Sequence, residues 1–139
     1  MKIGVIGRGF VGSAVCFGFS ESTGVDYDIK IFDKDPKKST HSLDETINGS
    51  DVIFISVPTP AKKNGDMDLS ILDKCIAEIN DTLCDTSPIL LIRSTVLPGT
   101  TRNYADKYPN LRIVFNPEFL TERSANFDFI SQTRYILGG

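Results

Sequence analysis

The stretch MKIGVIGRGFVG, Met1 to Gly12, is where a reading of the fold begins. Met1 to Ile6 is a short β-branched run, and Val11 to Phe19 carries the small and apolar residues of a helix packed on a sheet. GRGFVG, Gly7 to Gly12, therefore sits where a first strand turns into a first helix. The glycines there have separate tasks: Gly7 allows a tight turn, Gly9 lets backbone approach a pyrophosphate, and Gly12 lets helix and strand pack closely. The start of the helix then offers free N–H groups and a partial positive charge to phosphates. An acid, Asp33, lies 21 residues beyond Gly12, near the spacing at which a carboxylate meets the adenosine ribose of a dinucleotide. The competing reading is a tight structural turn with a surface acid.

Outward from this stretch, apolar runs alternate with helical patterns. Asp28 to Phe32, Asp51 to Val57, Ile89 to Ile92 and Arg112 to Phe115 read as strands, and Arg134 to Leu137 as a last one. Leu69, Leu72, Cys75, Ile76, Ile79 and Leu83 recur at helical spacing, with Asp68 or Ser70 to cap the start. Strands separated by helices imply right-handed βαβ units, so the expected fold is α/β: a doubly wound, Rossmann-like parallel sheet in one domain over residues 1–139. A chain of 139 residues buries about 65 to 70% of its unfolded surface, enough for one core.

Composition excludes several classes. A net charge of −3 and a short Lys37-Lys38 pair give no basic stripe, so no nucleic-acid partner is expected. No apolar run nears the roughly 18 residues of a membrane span, and Gly4, Gly7 and Arg8 interrupt the N-terminus where a signal peptide is continuous. A cytoplasmic location without membrane contact is expected. Cys16, Cys75 and Cys84 form no metal or disulfide spacing and read as reduced, mostly buried thiols. No metal site is expected, and the single histidine, His41, lies in a polar segment and reads as a surface residue.

Further motifs follow the later strands. SVPTP, Ser56 to Pro60, and RSTVLPGTT, Arg93 to Thr101, place hydroxyls and prolines at strand C-terminal ends, where open parallel sheets bind ligands. Ordinary turn chemistry with a cap at Thr100 or Thr101 is the alternative. FNPEFLTERSANFDF, Phe115 to Phe129, sets Glu118 and Glu122 four residues apart. Glu118 reads either as a general acid/base or as a helix-start acid, and Glu122 equally as a solvated partner. A 2′-phosphate near Asp33 would meet like charge, worth about 4 kcal/mol for unit charges 4 Å apart at intermediate dielectric. NAD is thus the expected cofactor, with Lys34, Lys37 and Lys38 able to offset part of the repulsion.

The order GRGFVG, Asp33, VPTP, STVLPGTT, NPEFL and RYILGG resembles the N-terminal domain of the UDP-glucose/GDP-mannose dehydrogenase family over nearly the whole chain. That resemblance implies oxidation of a nucleotide sugar's C6 alcohol to a carboxylate with two NAD, passing through an aldehyde, a thiohemiacetal on a cysteine and a thioester. It implies that Gly7, Gly9, Phe10, Val11 and Gly12 lie against the cofactor phosphates and that Asp33 with Lys38 faces the adenosine ribose. By the same resemblance Val57, Pro58, Thr59 and Pro60 line the adenosine side, Ser94 and Thr95 sit near the nicotinamide, and Glu122 faces the cofactor. Glu118 matches the active-site glutamate, with Thr95 holding a water or the substrate hydroxyl. Phe119, Leu120 and Thr121 match sugar-nucleotide contacts.

Three departures accompany the resemblance. Lys34 to Ser50 is shorter than the family's segment, which implies a missing strand and helix. Arg123 replaces a glycine. The family's catalytic cysteine and its assisting lysine and asparagine belong to later domains, and none of the three cysteines here stands in for it. A lone first domain is expected to expose Leu120, Phe127, Phe129 and Ile130, with weak self-association, whereas the resemblance implies a homodimer for a full-length form. A non-catalytic NAD-binding protein or partner subunit, and another hydroxy-acid or polyol dehydrogenase, are the alternatives.

Overall fold

Five parallel strands carry the chain, and the computed structural model describes residues 1–139. In sequence order they are β1 (Lys2–Ile6), β2 (Asp28–Phe32), β3 (Val52–Ile55), β4 (Ile89–Ile92) and β5 (Arg112–Phe115), arranged in space as β2-β1-β3-β4-β5. Helices α1 (Phe10–Gly18), α2 (Leu43–Asn48), α3 (Ser70–Thr82) and α4 (Thr100–Lys107) lie in the connections, and α5 (Ala125–Ser131) follows β5. This is the expected doubly wound Rossmann-like architecture.

Alternation along the strands divides the core in two. Ile53 and Ile55 of β3, with Leu90 and Ile92 of β4, pack against Leu72, Cys75, Ile76 and Ile79 of α3 and Tyr104 of α4. Phe54, Ile3 and Val5 pack on the other face with Ala14 and Val15 of α1 and Ala125 and Phe129 of α5. The central strands β1, β3 and β4 are covered on both faces, which is why their sequences read as nearly continuous apolar runs; the edge strands β2 and β5 each open on an exposed charged residue.

The order matches the doubly wound 3-2-1-4-5-6 arrangement without the outer strand beside β2. The short segment after Asp33 closes that edge itself. The N–H groups of Thr40 and His41 donate to the Ile31 carbonyl at 2.9 and 3.1 Å. The Ile31 N–H donates to Thr40 Oγ1 (3.1 Å) and the Asp33 N–H to Ser39 Oγ (2.8 Å). Two hydroxyls thus satisfy strand groups that a further strand would otherwise pair, and the edge offers less backbone for aberrant pairing. A strand is missing as expected, but a short helix remains: Ser42 and Glu45 form a capping box at the start of α2.

Several expectations need correction. Arg134 to Leu137 is not a strand; only Gly138 pairs, exchanging antiparallel hydrogen bonds with Phe115. β3 ends at Ile55, because Ser56 and Val57 turn into the loop. Asp68, whose carboxylate accepts the Ser70 N–H at 2.9 Å, holds the start of α3, and Ser70 is already helical. Thr100 opens α4 without capping it; Gly99, at φ 89°, precedes it. Phe127 and Ile130 are exposed as expected, but Phe129 is buried and Leu120 is half-buried against the α1 core. Cys75 is buried and Cys16 half-buried, whereas Cys84 is exposed. His41 is half-buried beside Thr40 Oγ1, at 2.8 Å. No helix is long and apolar enough to cross a membrane.

Candidate functional site

A cleft of about 250 Å³ opens at the C-terminal ends of β1, β3, β4 and β5. A larger hollow of about 420 Å³, bordered by Lys2, Asp51 and Arg112, lies at the opposite ends of the strands. Ligands of open parallel sheets bind outside the carboxyl ends, at the point where strand order reverses, so the smaller cleft is the site.

One wall is backbone. Gly7 adopts φ 90°, and a Cβ there would stand 2.6 Å from the Ser56 carbonyl oxygen; at Gly12 a Cβ would overlap the Gly7 carbonyl. A Cβ on Gly9 would meet nothing within 4 Å, so space for a ligand lies directly over that residue. No side chain caps the start of α1, whose first N–H groups remain available to an anion. Ser56 Oγ, also on the cleft, is buried without a hydrogen-bond partner. An uncapped helix start, an open glycine and an orphaned hydroxyl fit a dinucleotide pyrophosphate and ribose.

The other wall comes from the loops after β3, β4 and β5. Ser94 Oγ donates to the Val57 carbonyl at 2.7 Å, and Thr59 Oγ1 to the Thr95 carbonyl at 2.8 Å, tying the β3 and β4 loops together. Arg93, only 2% exposed, donates from Nη1 to Asn116 Oδ1 at 2.6 Å, and Asn116 Nδ2 donates to the Ile136 carbonyl at 2.9 Å. The guanidinium lies 5.4 Å from the centre of the Phe129 ring, and its Nε and Nη2 have no partner. Burial lowers the Arg93 pKa from its usual value, while the charges of Glu118 and Tyr135 oppose that shift. Glu118 lines the cleft, its Oε2 accepting the Leu120 N–H at 2.7 Å.

The cleft brings together Gly9, Phe10, Val11, Val57, Pro58, Thr59, Ser94, Thr95 and Glu118, all singled out in the sequence. Gly7 and Gly12 shape its floor. Asp33 joins through the fingerprint: its Oδ2 accepts the Arg8 N–H at 2.6 Å and its Oδ1 the Asp35 N–H at 2.8 Å. Lys38 is exposed beside it, with its carbonyl accepting from Arg8 Nη1 at 3.3 Å. Pro60, Phe119, Leu120, Thr121 and Glu122 lie outside the cleft lining. Neither glutamate is helical, since α5 begins only at Ala125, so the helix-start reading of Glu118 does not apply. No specific role follows from the sequence for Arg8, Arg93 or Asn116, whereas Ser56 is among the hydroxyls expected at a ligand-binding strand end. Arg93, a charged residue closing an apolar strand, was the one visible signal.

The model of the UDP-glucose/GDP-mannose dehydrogenase family, NAD binding domain, matches residues 38–139. A GDP-mannose 6-dehydrogenase of Pseudomonas putida is 32% identical, the alignment covering 99% of this chain and 40% of the relative. A UDP-glucose 6-dehydrogenase of Haloferax volcanii is 27% identical over 99% of this chain and 41% of its own length. The crystal structure of a ternary complex of GDP-mannose dehydrogenase from Pseudomonas aeruginosa superposes with a TM-score of 0.82 at 28% identity, covering 99% of this chain and 41% of that one. The chain thus spans about 40% of the length of these relatives. The first alignment runs over 180 positions against 139 residues here, so at least 41 positions of the relative have no counterpart in this chain. With the fold, the fingerprint and the matched region in agreement, the chain belongs to the UDP-glucose/GDP-mannose dehydrogenase family of oxidoreductases and carries its NAD-binding region.

Proposed function

We propose that residues 1–139 form the cofactor domain of a cytoplasmic nucleotide-sugar dehydrogenase, a homodimer in its full-length form, that oxidises the sugar C6 alcohol to a carboxylate with two NAD. The observation that carries this reading is the meeting of Glu118 and Thr95 with Gly9, Phe10 and Val11 in one cleft. Bound NAD supplies a hydride acceptor. Asp33 accepts hydrogen bonds from the adenosine ribose hydroxyls with Lys38 beside it, and Pro60 and Glu122 border the cofactor. Phe119, Leu120 and Thr121, next to Glu118 in sequence, meet the sugar nucleotide.

Oxidation of an alcohol removes a hydride and a proton, and the proton needs a base. The Leu120 amide holds Glu118 Oε2, leaving Oε1 to take a proton through a water. Thr59 fixes the Thr95 backbone, so the exposed Thr95 hydroxyl is positioned to hold that water or the substrate hydroxyl. No thiol lines the cleft. Burial pushes Cys75 up to about 12 and raises Cys16, keeping both as inert thiols. The thiol step therefore falls to a cysteine outside residues 1–139.

The test is to supply the full-length gene product with NAD and either UDP-glucose or GDP-mannose and follow NADH. Two NADH per sugar nucleotide are expected. NAD binding without reduction by either substrate would overturn the dehydrogenase reading and leave a cofactor-binding protein.

A further inference from the structure

The second residue of the fingerprint is an arginine, and its position bears on which dinucleotides the site accepts. The Arg8 N–H donates to Asp33 Oδ2 at 2.6 Å, so this residue is anchored to the carboxylate expected to meet the adenosine ribose. Its side chain crosses to the Asp33–Thr40 turn, where Nη1 donates to the Lys38 carbonyl at 3.3 Å. That turn is compact because no outer strand follows β2: the Lys38 N–H donates to the Asp35 carbonyl at 2.9 Å and the Ser39 N–H to the Pro36 carbonyl at 3.3 Å. Lys34, Lys37 and Lys38 are all exposed on it.

None of these four cations makes an ion pair; the two in the structure are Lys30 with Asp28 and Lys74 with Glu78. Asp33 and Asp35 spend carboxylate oxygens on backbone N–H groups of Arg8, Asp35 and Lys37. Four cations against two carboxylates give the ribose end of the site a net positive charge. A guanidinium suits phosphate better than an ammonium because its planar fork donates two parallel hydrogen bonds. In folds of this class an arginine near the ribose accommodates a 2′-phosphate that a lone acid repels.

We propose that Arg8 is a specificity-determining residue: with Lys37 and Lys38 it receives the 2′-phosphate of NADP, so the site takes NADP alongside NAD despite Asp33. The inference rests on Asp33 facing the adenosine ribose. Asp33 continues to bind the hydroxyls of NAD, while Arg8 offsets its charge when a phosphate replaces one of them.

Titration of the purified protein with NAD and with NADP tests this by the ratio of the two dissociation constants. In the unaltered protein NADP binds within about tenfold of NAD, a difference of about 1.4 kcal/mol or less. Arg8→Leu raises the ratio by about tenfold or more, and Arg8→Lys by less, because a point charge replaces the fork. A Lys37→Ala/Lys38→Ala double variant, altered only on the exposed turn, raises it by a smaller factor and covers the case in which Arg8→Leu fails to fold. Added salt weakens NADP binding more steeply than NAD binding. A ratio unchanged in Arg8→Leu and in the lysine variant overturns the inference while leaving NAD binding intact. Failure to bind either dinucleotide overturns both the inference and the cofactor reading.

Discussion

The two walls of the cleft are built by opposite means. The glycine wall, Gly7 to Gly12, is made by residues next to each other in sequence and works by lacking side chains: Gly7 holds φ 90°, and neither it nor Gly12 has room for a Cβ. The wall that carries Glu118 draws on loops after three strands, joined by Ser94 to Val57, Thr59 to Thr95, and Arg93 to Asn116 to Ile136. One wall is fixed by local sterics and the other by hydrogen bonds between distant segments. The first should therefore respond to added bulk, and the second to the loss of single polar atoms.

The largest effect is expected at the glycine wall. Gly12→Val puts a branched side chain into the Gly7 carbonyl, at a cost of about 3 kcal/mol, and separates strand from helix where the phosphates sit. Urea unfolding should show that loss and a titration should show NAD binding abolished. Retained binding would mean that this wall is not sterically fixed.

A smaller but more discriminating effect is expected at the second wall. Asn116→Ala takes away the one hydrogen-bond partner of the buried Arg93 guanidinium and costs about 2 kcal/mol. Arg93→Met removes the charge together with its unmet donors, and the change stays within about 1 kcal/mol. Equal losses in the two variants would show that the pair itself, rather than the stranded cation, matters. Below these, Thr59→Val keeps the shape of the side chain, breaks the tie to Thr95 and costs about 1 kcal/mol in urea unfolding.

The smallest effect concerns the loop beyond Glu118. The Thr121 N–H and then the Ser124 hydroxyl hold Asp128 below its ordinary pKa of 3.8. A depressed carboxylate stabilises the fold fully above its unfolded pKa and loses that contribution as pH falls through the folded value. The Thr121 amide resonance should therefore move with a midpoint below pH 3.8. A midpoint above it would mean that the carboxylate does not hold this loop. Asp128→Asn should abolish the transition.

How much of this was legible in the sequence differs between the walls. GRGFVG and Asp33 could be read directly because steric demands act within a turn and the acid follows at a fixed spacing. The central strands β1, β3 and β4 were legible because cover on both faces leaves a nearly unbroken apolar run, and the edge strands β2 and β5 by their shorter β-branched and aromatic stretches. Arg134 to Leu137 misled for the same reason: Tyr135 and Leu137 are 64% and 65% exposed, so these apolar residues report surface, not a strand. Helix α2 went unread although SLDE, Ser42 to Glu45, spells its capping box, because six residues are too few for a periodic pattern.

By itself the sequence determined the βαβ alternation, the glycine turn and the acid that follows it, since these depend on neighbouring residues and on which side chains water excludes. Only the tertiary structure decided the strand order without an outer strand, the closing of the β2 edge by Ser39 and Thr40, and the burial of Arg93 against Asn116 beneath Phe129. Those contacts join atoms whose approach depends on how the whole sheet assembles, and hydrogen bonds reaching across 23 residues leave no period along the chain.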